Sequence, residues 1–417
     1  MDAFRIQGGN PLRGEISVSG SKNASLPIMV ASLLADGEST LFGAPDLVDV
    51  RTLSQLLRHT GAKIVHDGST LKIDASGIDK LEAPYDLVRT MRASFLVIGP
   101  LLSRFGRAKV SLPGGCAIGA RPVDQHLKAL EQLGAKITIS HGYVEAEAKE
   151  LVGAKITFDF PTVGGTENLL IAAARALGTT VINNAACEPE VVDLAAALTK
   201  MGVEIEGVGT ERVIVHGTRE LRPFEHKVVA DRIELGTFLV AGAMAGDPLT
   251  VVGGVTDHQL ALIDKLERGG AVIDIDGPRV TVQRALRPRA IDVRTAPYPG
   301  FPTDMQAQLM ALLTVAEGAS VVTETIFENR FMHVAELNRL GADIRVEGGK
   351  AVVHGVDKLS GSTVMATDLR ASAGLVLAAL VAEGETVIRR IYHLDRGYEH
   401  LDLKLRTVGA EVERFSE

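Results

Sequence analysis

The stretch ALEQLGAKIT, residues 129–138, holds a helix end and a strand start in one short run. Leu in the last turn, a Gly suited to the left-handed cap, and apolar–polar alternation afterwards read as an amphipathic helix stopping into a β-strand. The pattern recurs as LLRHTGAKIV, ALTKMGVEIE, KLERGGAVID, ELNRLGADIR and KLRTVGAEVE, so the cap glycines are Gly61, Gly134, Gly202, Gly270, Gly341 and Gly409. Their spacing of roughly 70 residues is too long for a helical solenoid and suits a small α/β unit. In KIVHDGSTLKID, EIEGVGTERVIVHG, VIDIDGPRVTVQ and DIRVEGGKAVVHG a Gly-centred turn and a second strand follow, which predicts hairpins.

Between the hairpins lie NASLPIMVASLLADG, RASFLVIGPLLSRFG, TENLLIAAARALG, ELGTFLVAGAMAG, DMQAQLMALLTVAEG and LRASAGLVLAALVAEG. They are apolar almost all round, the mark of helices buried on most faces. Six such helices, six polar-surfaced ones and the strands between them make six βαβαββ-like units. Grouped three and three, they predict an α/β protein of two similar domains, helices inside and sheets outside, dividing near Val229 to Asp231.

Composition sets the surroundings. The opening MDAFRIQGG has neither a basic n-region nor an apolar h-region, and no later stretch runs 18 residues without charge, so the expectation is a soluble cytoplasmic protein with no membrane insertion. Cys116 and Cys187 are the only cysteines, which rules out a disulfide framework and a four-cysteine zinc site; no metal is expected. A net charge of −8 repels nucleic acid over the surface as a whole, so anionic ligands must be gathered by a local cluster of cations. The placement of arginines is therefore informative.

Unusual residues collect where the buried helices begin. SGSKNAS puts Lys22 and Asn23 there, RTMRAS puts Arg92, and TVGGTEN, PTDMQAQ and TDLRASAG put Thr162 to Gly165, Asp304 and Arg370 at equivalent points. Helix N-termini expose unpaired N–H groups and the positive dipole end, so several of them with Lys and Arg would make an anion site. Asp304 and Asp368 read equally well as caps or first-turn acids. Lys22, Arg92 and Arg370 oppose the dipole, and their repeated placement asks for a bound phosphate or carboxylate. No GxxxxGK[ST] or strand-linked GxGxxG appears, so no ATP or dinucleotide cofactor is implied.

Together SGSKNAS, RTMRAS, PGGCAIGARPVD, FPTDMQAQ, ENRFMHVAEL, DLRASA and IYHLDRGYE resemble the UDP-N-acetylglucosamine 1-carboxyvinyltransferases, enolpyruvyl transferases that begin peptidoglycan precursor synthesis. The resemblance covers the whole chain. It implies two inside-out α/β barrel domains, residues 22–229 and residues 1–21 with 230–417, and no cofactor. It also implies two small-molecule substrates, phosphoenolpyruvate and UDP-N-acetylglucosamine, closed into the cleft between the domains.

Enolpyruvyl transfer adds a sugar hydroxyl to C2 of phosphoenolpyruvate while a proton enters at C3, then expels phosphate and a proton. It needs an acid, a base and several cations. Cys116, between Gly115 and Ala117, has little steric cover, and neighbouring arginines would lower its pKa towards that of a proton donor or nucleophile. The resemblance gives it those roles, including a covalent phospholactoyl adduct. A lone intracellular cysteine is ordinarily an inert small hydrophobe, but a Gly-Gly loop is a poor core position. Cys187 in NNAACEPE takes that ordinary reading.

By the same resemblance Asp304 removes the proton from the 3-hydroxyl of the sugar. Lys22, Arg121 and Arg396 surround the phosphate and carboxylate of phosphoenolpyruvate, and Asn23, Arg92, Arg330 and Arg370 lie in the same electropositive site, where arginine's planar fork suits oxyanions. The nucleotide falls along Arg121, Pro122, Val123, Asp124 and Gln125, with Thr162, Val163 and Gly164 facing it and Ile326 near the sugar. One departure stands out: the position before the facing loop, often basic in the family, is Phe160, followed by Pro161. Two other readings share these residues. A 3-phosphoshikimate 1-carboxyvinyltransferase would have no use for the PGGCAIGARPVD loop, and a non-catalytic UDP-sugar sensor would not be expected to keep Cys116 and Asp304.

Overall fold

The computed structural model describes residues 2–113 and 123–416, so Cys116, Arg121 and Pro122 lie outside the described residues. All six cap glycines adopt the left-handed backbone, with φ between 94° at Gly341 and 110° at Gly202. A Cβ-bearing residue would be strained there, which is why Gly punctuates each helix–strand junction. The strands beyond them form hairpins: Lys63–Asp67 with Thr70–Asp74, Lys136–Ser140 with Tyr143–Glu147, Glu204–Glu206 with Arg212–His216, Val272–Asp276 with Arg279–Gln283, and Asp343–Glu347 with Lys350–His354.

Among the described residues the strands make six four-stranded sheets with one shared order: an edge strand parallel to its neighbour, then the two antiparallel hairpin strands. Lys155–Thr157, for example, crosses over through the buried helix Val163–Ala173 to its parallel neighbour Thr179–Asn183. Three sheets are completed from distant sequence. Glu225–Lys227 is the edge strand beside Glu38–Phe42, and Leu12–Ser17 is the edge strand beside Gly246–Val252. The last repeat lacks its own second hairpin strand, and the N-terminal Asp2–Gln7 fills the place between Glu385–Arg389 and Glu411–Ser416.

The described residues accordingly divide into two compact units, one within residues 20–229 and one joining residues 2–19 to 230–416. In the first unit the helices Lys22–Ala31, Ile98–Phe105 and Val163–Ala173 pack around one core; in the second Arg232–Ala245, Gln306–Leu313 and Leu369–Val381 do the same. Two buried helices open with a 3₁₀ turn, Arg92–Val97 and Thr303–Met305, where the sequence reads as continuous helix. Pro100 explains the first, because it has no N–H to bond the Leu96 carbonyl and α-helical pairing can begin only beyond it. At the far end of the Lys22–Ala31 helix, Arg104 Nη1 donates to the carbonyls of Leu33 at 2.7 Å and of Ala35 at 3.3 Å, groups the helix end leaves over, and to that of Ala75, just beyond the strand Thr70–Asp74, at 3.3 Å. Among the described residues no helix is long and apolar enough to cross a membrane.

Candidate active site

In the first unit Lys22 is the first residue of its helix, behind the N-cap Ser21, whose Oγ accepts from Ala24 N at 3.2 Å. The Lys22 side chain is buried, and its Nζ lies 3.3 Å from Oδ2 of Asp49, itself buried in the first turn of Val48–His59. Asn23 is half-buried beside it. Asp49 has no counterpart in the sequence reading; an acid in the first turn of a surface helix looks like a dipole partner until its lysine is seen.

The residues expected to hold a nucleotide come together in the same unit. Val123 caps the helix Asp124–Gln132; Asp124 is exposed and Gln125 buried. Gln125 Oε1 accepts from Asp159 N at 2.8 Å, and its Nε2 donates to the Phe160 carbonyl at 3.4 Å. It thereby fixes the segment that leads to Thr162, whose Oγ1 accepts from Gly165 N at 3.2 Å and caps Val163–Ala173. Phe160 is exposed, so no charge occupies that position of the loop. Arg92 stands half-buried at the start of its 3₁₀ turn, and its charge bears on His126: burial first, then Arg92, push that imidazole down to about 3.

In the second unit Asp304 receives two arginines. Arg330 Nη2 is 2.7 Å from Oδ1 and Arg370 Nε is 3.1 Å from Oδ2; both guanidiniums are buried, while the carboxylate is 26% exposed. Arg330 Nη1 also donates to Thr303 Oγ1 at 2.9 Å, and Thr303 donates to Glu324 Oε2 at 2.9 Å. Glu324, buried, also accepts from Thr295 Oγ1 at 2.9 Å and from Ile326 N at 2.8 Å, so it ties the Asp304 turn to the loop carrying the exposed Ile326. Nothing in TETIFENR singles Glu324 out, since an acid beside a strand end ordinarily faces water.

Arg370 sits inside the first turn of Leu369–Val381, whose N-cap Asp368 accepts from Arg370 N and Ala371 N at 3.0 and 3.1 Å. Desolvation opposes its charge, but Asp304, Tyr398 and Asp231 outweigh that and raise its pKa above the ordinary value. The guanidinium carbon lies 5.5 Å from the centroid of the Tyr398 ring, whose hydroxyl bonds Thr237 Oγ1 at 2.9 Å and Gln308 Nε2 at 3.2 Å. Arg370 Nη1 is buried with no hydrogen-bond partner among the described residues. Arg396, half-buried, ends the turn Ile391–Arg396, where burial and then the charges of Arg390 and Arg396 lower the pKa of His393. His333 is buried nearby, pushed down to about 4 by desolvation against the raising effect of Asp368 and with the help of Arg330.

The structure thus gathers Asp304, Arg330 and Arg370 in one unit, and Arg92, Gln125 and the 162–164 turn around His126 in the other. Cys187 is half-buried, and burial followed by Glu188 and Glu211 raises its thiol pKa.

The family model described as EPSP synthase (3-phosphoshikimate 1-carboxyvinyltransferase) matches residues 6–405. The UDP-N-acetylglucosamine 1-carboxyvinyltransferase of Trichlorobacter lovleyi is 57% identical over 418 aligned residues and that of Geotalea daltonii 56% identical over 417, each alignment covering 100% of both chains. The chain belongs to the EPSP synthase family, among its UDP-N-acetylglucosamine 1-carboxyvinyltransferases.

Membership makes the protein an enzyme, a transferase. A crystal structure of the enolpyruvyl transferase NikO from Streptomyces tendae matches with a TM-score of 0.90 at 29% identity, covering 99% of this chain and 98% of that one. EPSP synthase from Acinetobacter baumannii matches over 100% of both chains with a TM-score of 0.76 at 19% identity, which shows the shared fold. The repeated βαβαββ unit is therefore the architecture of this carboxyvinyltransferase family.

Proposed function

We propose that the protein transfers the enolpyruvyl group of phosphoenolpyruvate to the 3-hydroxyl of UDP-N-acetylglucosamine, releasing phosphate, as a cytoplasmic step of peptidoglycan precursor synthesis. The full-length relatives are named UDP-N-acetylglucosamine 1-carboxyvinyltransferases, which supports the carboxyvinyl transfer and its acceptor. The observation that carries the reading is the buried Arg370, bonded to Asp304 through Nε and left with an unpartnered Nη1 among the described residues. A desolvated guanidinium donor without an acceptor fits an anionic substrate group that completes it.

The reaction divides among the chain's own residues. Asp304 takes the proton of the 3-hydroxyl as the sugar oxygen attacks C2 of phosphoenolpyruvate, and Cys116 delivers a proton to C3. The Cys116 thiolate left by that step then takes a proton back from C3 as the C2–O bond to phosphate breaks, restoring the double bond and releasing phosphate. A carboxylate offers about four lone-pair sites, so orientation by Arg330 and Arg370 is compatible with accepting a hydroxyl proton. Lys22, Arg121 and Arg396 neutralise the phosphate and carboxylate, with Asn23 and Arg92 beside them. Val123, Asp124 and Gln125 face Thr162, Val163 and Gly164 across the nucleotide, Pro122 stiffens the backbone next to the uracil, and Ile326 borders the sugar. The helix start at Val163 offers the backbone N–H groups that suit an anionic or carbonyl edge. Residues 22–229 form one domain and residues 1–21 with 230–417 the other.

Phosphate release from phosphoenolpyruvate, measured with UDP-N-acetylglucosamine and separately with shikimate 3-phosphate, tests the reading. Turnover with the nucleotide sugar alone is expected; turnover with shikimate 3-phosphate alone would assign the sister activity, and none with either would remove the transferase reading.

A further inference from the structure

His126 follows directly on the expected nucleotide-binding run Val123 to Gln125, yet points away from solvent. It is 5% exposed, and its ring meets Phe95 edge to face, centroids 5.6 Å apart at 81°. On its other side the ring lies against Gly164: a Cβ placed on that glycine would come within 3.3 Å of His126 Cε1 and 3.5 Å of Nε2. A third contact fixes its rotation, because Asn168 Nδ2 lies 3.1 Å from Nδ1. With the amide nitrogen as donor, Nδ1 is the acceptor, which places the ring proton on Nε2, toward Gly164. Burial and the charge of Arg92 keep the imidazole neutral, so Nδ1 retains the lone pair that this bond requires.

Asn168 belongs to the same helix as Gly164, one turn further in, so His126 grips the first two turns of Val163–Ala173 at two points. Its neighbour Gln125 grips the preceding segment at Asp159 and Phe160. Consecutive side chains of one helical turn therefore hold both flanks of the 159–164 stretch, and the separation between that stretch and the Val123 turn is set by an imidazole's thickness. No cation contacts or substrate atoms are required of His126 for this; its action is through Gly164 and Asn168.

We infer that His126 is a positioning residue for the nucleotide end of the acceptor substrate, wedged between Phe95 and Gly164 and bonded to Asn168 so that the N-terminus of Val163–Ala173 stands at the right distance from Val123 to Gln125. The inference rests on the reading that these two stretches hold the uridine diphosphate. Glycine at position 164 suits this packing, since even a Cβ there would press on the ring at 3.3 Å from Cε1.

The test uses the full-length enzyme. His126→Phe keeps the ring's bulk and loses the acceptor; His126→Asn keeps a polar side chain able to bond Asn168. For His126→Phe the expected result is a rise of about tenfold in KM for UDP-N-acetylglucosamine and in the Kd of UDP by calorimetry, the loss of roughly one well-made hydrogen bond. KM for phosphoenolpyruvate and kcat should stay within about twofold, since neither reports on the nucleotide's seat. His126→Asn, which keeps an acceptor for Asn168 but not the ring between Phe95 and Gly164, should recover only the part of the nucleotide affinity carried by that bond. If His126→Phe does not give a cooperative thermal transition, Asn168→Leu, which removes the donor from the other side, should show the same division between the two KM values. An equal rise in both KM values, or unchanged nucleotide affinity in a folded variant, overturns the inference. Absence of UDP binding by the unaltered enzyme overturns the underlying assignment of the nucleotide site, and the inference with it.

Discussion

Arg330 Nη2 lies 2.7 Å from Asp304 Oδ1, and the same guanidinium reaches Thr303 Oγ1 through Nη1 at 2.9 Å. One arginine thus fixes both the carboxylate and the turn that presents it. With Arg370 Nε on the other carboxylate oxygen, the orientation of Asp304 is held from two sides. Asp304→Asn keeps the shape and loses the base, so kcat should fall by about 10²–10⁴ with both substrates still bound. Calorimetric UDP-N-acetylglucosamine binding within severalfold of the unaltered protein should accompany that loss. A variant that turns over normally would take the base role away from Asp304.

Lys22 offers a different separation. Its ammonium is buried 3.3 Å from Asp49 and serves, in the proposed reaction, only the small anion. Lys22→Ala should weaken phosphoenolpyruvate binding by about a hundredfold or more, the scale of a lost charge-assisted contact, and leave UDP-N-acetylglucosamine affinity near its original value. Titration of each ligand separately decides it: parallel losses would show that Lys22 supports the fold around Asp49 rather than the substrate.

The two thiols should part company chemically. Cys187 carries a raised pKa beside Glu188 and Glu211, which holds it as the unreactive thiol. Cys116, among the proposed cations, should be alkylated by a small phosphonate epoxide such as fosfomycin, faster when UDP-N-acetylglucosamine is present. Peptide mapping after treatment reads the site, and label on Cys187 would contradict the assignment. Cys116→Asp should keep some turnover while escaping alkylation, because an acid remains; Cys116→Ala should not.

Acid should weaken the fold along a defined course. His126 at about 3 and His333 at about 4 are depressed from the ordinary 6.5, so their stabilising contribution is present above 6.5 and drains away as the pH falls towards those values. Glu234 runs the other way: burial, against Lys404 at 2.7 Å, raises it from 4.5 to about 7, so its contribution is full below 4.5 and is lost as pH rises through about 7. Between 6.5 and 4.5 Glu234 holds a proton in the folded chain alone, which offsets part of the loss from the histidines. Glu234→Gln removes that proton, so on acidification across that window stability should fall by ~1.4 kcal/mol per pH unit more than in the unaltered protein. Urea titrations at several pH values check this; identical slopes for the two proteins would contradict it.

What could be read in the chain beforehand was what is decided locally. A left-handed Gly134 between a leucine-ended helix and an alternating strand is a matter of a few adjacent residues, and it repeats, so six copies reinforce one another. The pairing of Asp2–Gln7 with Glu411–Ser416 is of another kind: no local feature of either strand names a partner at the opposite end of the chain. The site divides the same way. Cations at helix starts, such as Lys22 and Arg370, stand out because they oppose the dipole. Glu324 and Asp49 do not, because a carboxylate in a loop or first turn is ordinary until burial puts an arginine-bonded threonine or a lysine against it. His126 lay next to a recognised motif, but its role depends on a glycine and an asparagine brought up by another helix.

The most direct measurement of the central claim is the structure of the product. After incubation with phosphoenolpyruvate labelled with ¹³C at C2 and with UDP-N-acetylglucosamine, a long-range carbon–proton NMR correlation should connect the labelled enol-ether carbon to the proton on C3 of the sugar, with one inorganic phosphate released per product. An ether at another sugar hydroxyl, or no labelled nucleotide sugar while shikimate 3-phosphate is converted, would contradict the account.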